Sequence, residues 1–173
     1  MWSSPLFWIV FAIVLFWALG AYNRLMRLRS AVVQAFGGFD AHMVRLVALL
    51  GEFSAAQAMQ EEGGGGLRDG GAALQGATTQ LGASLAVARA RPLQADAMAA
   101  LATARDVLQT TWQGAMQSDH DGVWQARWNE HARQNTQAIV LFNEAVAQYN
   151  AAIAQFPASL LARVFGFNAA RGL

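Results

Sequence analysis

The chain has 173 residues, 55% of them hydrophobic and 13% charged, with a net charge of +1 and no cysteine. Near-neutral charge excludes a global field that draws nucleic acid, and basic clusters interleaved with aromatics are missing as well, so no nucleic-acid partner is expected. Without cysteine there are no disulfides, thiolate metal sites or cysteine nucleophile. All twelve basic residues are arginine, which together with abundant alanine and glycine reads as a GC-rich genome.

The mean hydropathy of +0.25 exceeds what a soluble domain needs, and the excess sits at the start of the chain. Leu6, Phe7, Trp8, Ile9, Val10, Phe11, Ala12, Ile13, Val14, Leu15, Phe16, Trp17, Ala18, Leu19, Gly20 and Ala21 follow one another without a charge. Extended by Trp2 and Tyr22, this run approaches the ~20 residues that cross a bilayer. Its apolar residues occupy every side of a helical wheel, which suits lipid and not a half-wet surface helix. Trp2 at one end and Trp17 and Tyr22 at the other bracket the span with rings that favour the headgroup level. Pro5 fits the first helical turn.

Arg24, Arg27 and Arg29 directly follow the span, so positive charge favours a cytoplasmic position for what comes after. Two other readings stand beside this one. Ala18 and Gly20 form a small-x-small pattern that a signal peptidase accepts, although the segment MWSSP has no basic side chain. An uncleaved anchor with a periplasmic domain is the other. The expected division is residues 1–22 as transmembrane anchor, 23–157 as helical bundle, and 158–173 as a short apolar C-terminal tail. The roughly 150 residues beyond the span make one domain.

Past the span, Leu25, Val32, Phe39, Leu46 and Phe53 form one seven-residue row, with Phe36, Met43 and Leu50 in the adjacent one. This coiled-coil-like seam lacks an interrupting proline, so one helix is expected from about Pro5 to Gln60. Residues 61–71, EEGGGGLRDGG, read as a linker, because each glycine costs about 1 kcal/mol inside a helix. They lack the Gly-Lys-Ser/Thr ending of a phosphate loop. A second helix is expected over 72–91 with Leu74, Leu81 and Leu85 inward, ended by Pro92. A third covers 94–117, with Met98, Leu101, Val107 or Leu108, and Trp112 inward. SDHDG at 118–122 signals a turn. The fourth, 123–155, carries Trp128, Asn135, Phe142, Tyr149 and Phe156 in one row, flanked by Ile139, Val146 and Ile153. No alternating strand pattern occurs, so the expected fold is all-α, a transmembrane helix continuous with an antiparallel three- to four-helix bundle.

Tyr22-Asn23-Arg24-Leu25, with Arg29, Phe36, Phe39 and Asp40, resembles the start of the bacterial LemA family, where a membrane helix runs into a YN-x-L segment. Phe142-Asn143-Glu144-Ala145-Val146, then Tyr149-Asn150, Phe156-Pro157 and Phe165-Gly166-Phe167, is similar to its ending, at matching spacing. Between them the chain departs: the family's RAD-L-I-P-N-L segment is replaced by RLVALLGEF over 45–53, and the glycine linker looks inserted. The resemblance implies a divergent member of a family of membrane-anchored helical bundles without an established enzymatic activity. Some relatives organise or remodel membranes of the bacterial cell. On this reading the chain is a single-pass inner-membrane scaffold or adaptor whose partners are the lipid bilayer and other membrane proteins or its own copies.

Catalytic, metal and cofactor residues are not expected. His42, His120 and His131 lack ligand spacing, Asp119-His120-Asp121 reads as a solvated turn, and no Gly-x-Ser-x-Gly elbow is present. Asp40 and His42 point to different sides of one helix. The aromatic-amide pairs Tyr22-Asn23, Phe142-Asn143 and Tyr149-Asn150 have two readings: rings packed with amides bonding across helices, or a shared recognition strip. An alternative to the scaffold is a sensor whose crevice around Trp112, Trp124 and Trp128 holds a small ligand. The tail, with Leu160, Leu161, Val164, Phe165 and Phe167, is expected to dock on the protein or the membrane surface near Tyr22 and Arg24, since these groups gain ~1.5 to 3 kcal/mol each when fully buried.

Overall fold

A computed structural model describes residues 5–61, 68–118, 122–155 and 158–173. Among these, every regular element is helical. Helix α1 spans Pro5–Glu61, 57 residues, or about 85 Å at ~1.5 Å per residue. Its two halves differ in what surrounds them. From Leu6 to Leu19 the large apolar side chains are 44 to 80% exposed, and none of this most apolar stretch is buried in the protein. From Leu25 onward both seven-residue rows are buried, Val32, Phe39 and Met43 completely. One continuous helix thus carries an uncovered apolar cylinder and then a packed seam.

Helix α2, Arg68–Ala90, begins earlier than its glycines suggest. Gly70 and Gly71, expected in the linker, lie in its first turn, where the leading N–H groups have no intrahelical acceptor to lose. Residues 62–67 lie outside the described residues. Burial of Leu74, Ala77, Leu81, Leu85 and Ala88 supports the helix. Small Ala77 and Ala88 among the leucines let α2 lie close along α3, Ala95–Ala115, which buries Ala97, Met98, Leu101, Ala104, Leu108 and Trp112. Of the two inward candidates at this level, Leu108 is buried and Val107 is 40% exposed. Pro92 separates the two helices, and Arg91 N–H donates back to Val87 and Ala88 carbonyls.

A short 3₁₀ turn at Met116–Ser118 ends the hairpin, and Gly122 caps α4 with a positive φ of 67°. Helix α4, Val123–Ala154, packs along α1 through Phe142, Val146 and Tyr149. Phe142 meets Phe36 edge-on at 5.9 Å. The ion pairs Asp40–Arg89 at 2.8 Å and Glu52–Arg127 at 2.6 Å tie α1 to the end of α2 and the start of α4. These contacts define antiparallel helices in which α4 returns toward the exposed half of α1. The short helix α5, Ala158–Phe165, follows and lies against α1 and α4. It closes in a Schellman turn: Gly166 has φ 68°, and Phe167 N–H donates to Ala162 carbonyl at 2.8 Å.

Candidate functional site

The fourth helix sends Phe142 and Tyr149 into the core, so the residue after each, about 100° further round the helix, emerges at the rim. Those residues are Asn143 and Asn150. After the Schellman turn the chain runs back beside α4 and meets both. Asn150 Nδ2 donates to Ala170 carbonyl at 2.8 Å, while Ala170 N–H donates to Asn150 Oδ1 at 2.8 Å. Asn143 Nδ2 donates to Leu173 carbonyl at 2.9 Å, and Leu173 N–H donates to Asn143 Oδ1 at 2.8 Å. Each amide therefore satisfies both backbone groups of one tail residue, as a neighbouring strand does in a sheet.

The spacing explains the pairing. Seven helical residues advance about 10.5 Å, and three residues of extended chain advance about 10 Å. Asparagines one heptad apart thus match tail residues three apart. Ala170 is buried in the main core, and Leu173 packs on its edge. Between them Gly172 passes so close that a Cβ there would lie 2.5 Å from Asn143 Oδ1.

At the same end of the bundle, Tyr22 lies 5.4 Å from the Phe165 ring and 6.4 Å from Phe167. The Arg29 guanidinium stands 5.9 Å over Phe167. Leu25, Ala152 and Ala158 form a small cluster with Phe167. Helix α5 buries only Ala158 and Ala162, leaving Leu160, Val164 and Phe165 exposed by 55, 78 and 58%. Residues from both ends of the sequence, Tyr22, Leu25 and Arg29 with Tyr149, Asn150, Gly166 and Phe167, thus gather in one place. Asn23 is exposed, Asp40 lies apart with Arg89, and Phe156 and Pro157 fall outside the described residues.

Trp112 stacks on Trp128 at 4.7 Å, and Phe53 packs edge-on against Trp112 and Trp124 at 5.0 and 5.3 Å. These three tryptophans and Phe53 thus form one aromatic cluster. Asn135 is buried with Oδ1 unpartnered among the described residues, as is Arg105 Nη1 on α3. Burial lowers the Arg105 pKa, an effect partly offset by Asp106. Burial raises the Tyr149 phenol, against the pull of Arg29. Hydrogen bonds from Arg133 and Gln134 lower Glu130 on the surface. Among the described residues no three His, Asp or Glu side chains are grouped to hold a metal; His120 and its flanking aspartates lie outside them.

The amides of Asn143 and Asn150 bond to the chain's own tail and not to a neighbouring helix, which the sequence reading did not foresee. The sequence signal for it is the heptad repeat of an aromatic-Asn pair. No family model matches the chain, and no curated protein or solved structure matches it.

Proposed function

We propose that the protein is a membrane-tethered, non-enzymatic scaffold of the bacterial inner membrane, its bundle on the cytoplasmic side, and that it is a divergent relative of the LemA family. The observation that carries this reading is helix α1: an apolar cylinder from Leu6 to Leu19 exposed on all sides, continuous with a seam that is fully packed. Exposing that many large apolar groups to water is unfavourable at about 25 cal/mol per Å², whereas lipid accepts them. Arg24, Arg27 and Arg29 support the orientation. Helix α5 supports the membrane anchor, because Leu160, Val164 and Phe165 are uncovered and Phe165 sits beside Tyr22, where the span ends. The convergence of Tyr22, Tyr149-Asn150 and Gly166-Phe167 supports the family likeness, since the motif residues form a structural unit. Crosslinking of the full chain in intact cells tests the scaffold reading: recovery of defined membrane-protein neighbours or of its own copies is expected. Turnover of a substrate by the purified chain in activity profiling would contradict it.

A further inference from the structure

We propose that the cleft between the end of the membrane span and the end of α4 binds an anionic phospholipid of the surrounding bilayer, a site that rests on the membrane-anchor reading. Its phosphate would lie at Arg24 and Gln155, and an acyl chain along Phe16, Trp17 and Gly20.

The cleft forms where one element gives way to the next. Helix α4 follows α1 as far as Ala152, which clusters with Leu25 and Ala158. The backbone turns extended at Gln155, and α5 starts at Ala158. Beside that cluster a cavity of about 420 Å³ remains, walled by Phe16, Trp17, Gly20 and Arg24 of α1 and by Gln155 and Ala158 opposite. Its volume lies within the ~300 to 1,000 Å³ usual for ligand pockets. A Cβ on Gly20 would meet no atom within 4 Å, so the helix backbone itself forms part of the wall.

The two ends of the cleft differ in chemistry. Phe16 and Arg24 are eight residues apart on one helix, about 12 Å along its axis. Phe16 and Trp17 belong to the apolar cylinder, and Arg24 stands just past Tyr22, whose ring marks the headgroup level. Lipids of the cytoplasmic leaflet share this direction, with phosphate toward the bundle and chains along the span. Arg24 is exposed and takes part in no ion pair among the described residues. No carboxylate lines the cleft. A phosphate there meets a guanidinium and an amide donor, whereas the cationic group of a zwitterionic headgroup meets no counter-charge. Basic clefts at the cytoplasmic end of membrane helices select anionic headgroups by the same chemistry.

The test uses the full chain in mild detergent, mixed with equal amounts of phosphatidylglycerol and phosphatidylcholine of identical acyl chains and measured by native mass spectrometry. Retained phosphatidylglycerol should exceed retained phosphatidylcholine. Arg24→Gln should lower that preference about fivefold, the equivalent of ~1 kcal/mol for one arginine at an anionic lipid surface. Arg27→Gln removes the same charge from a residue outside the cleft and should leave the preference unchanged. Gly20→Leu, which fills the cleft, should remove the retained phosphatidylglycerol. Excess inorganic phosphate should displace none of it, because the acyl chain is held as well. Equal retention of the two lipids by the unaltered chain would overturn the proposal, and so would equal losses in Arg24→Gln and Arg27→Gln, which mark diffuse surface charge. Unchanged retention in Gly20→Leu would place the lipid elsewhere and overturn it too; if that variant does not fold, the two arginine variants decide. Displacement by phosphate would show that the cleft takes a free anion and overturn the lipid reading. Alkaline carbonate extraction separates this site from the anchor. A chain that stays with the membrane but shows no lipid preference overturns the site alone, and a chain released from the membrane overturns both.

Discussion

Asn150 and Asn143 each hold both backbone groups of one tail residue, so losing either amide removes two partly buried bonds at once. At about 0.5 to 1.5 kcal/mol per bond, Asn150→Ala should destabilise the folded chain by about 1 to 3 kcal/mol, read as a lower chemical-denaturation midpoint in micelles. An unchanged midpoint would mean that the tail contributes nothing to the bundle. Tyr149 supplies a second residue-scale expectation. Its folded pKa is raised by burial, so the unfolded state ionises first. The stability tied to its neutral form is complete below pH ~10 and declines as pH rises past that value. The chain should therefore melt earlier in alkali, with the slope reduced in Tyr149→Phe; identical alkaline slopes would remove this role. The sequence shows the aromatic-Asn pairs plainly but hides their partners. The groups they bind are the backbones of residues 170 and 173, which carry no side-chain signature. Asp40–Arg89 is hidden for a related reason: a carboxylate on one helix does not announce which arginine on another it will face.

Element boundaries and faces were legible wherever periodicity was strong. The rows from Leu25 to Phe53 and from Trp128 to Tyr149 are the buried rows, because large side chains repeating every seven residues leave one continuous stripe to cover. The start of α2 was not legible. Glycine propensity argued against helix through residue 71, and tertiary burial of its alanine and leucine face outweighed that local cost. The unbroken run of α1 across residues 21–36 makes its two halves mechanically one. Inserting two residues after Arg29 should rotate one half against the other by about 200° and detach Tyr22 and Leu25 from α4 and α5. A drop in melting temperature is expected, together with lost crosslinks between Tyr22 and Phe165 positions. Retention of both would show that the halves are independent.

The whole molecule consists of an uncovered apolar cylinder, a packed bundle and a short helix lying where the two meet. Helix α5 offers a depth test: a fluorophore on Val164→Cys, in vesicles, should be quenched by headgroup-labelled lipid, whereas one on the exposed Ala41→Cys of the bundle should not. Equal quenching at both sites would detach α5 from the interface. Scaffolding, orientation and family likeness all presuppose that residues 5–21 lie in lipid, since that cylinder has no protein cover. Alkaline carbonate extraction of membranes from cells producing the chain measures this directly. The full chain should stay with the membrane pellet and a chain without residues 5–21 should be released, whereas release of the full chain into the supernatant would contradict the account.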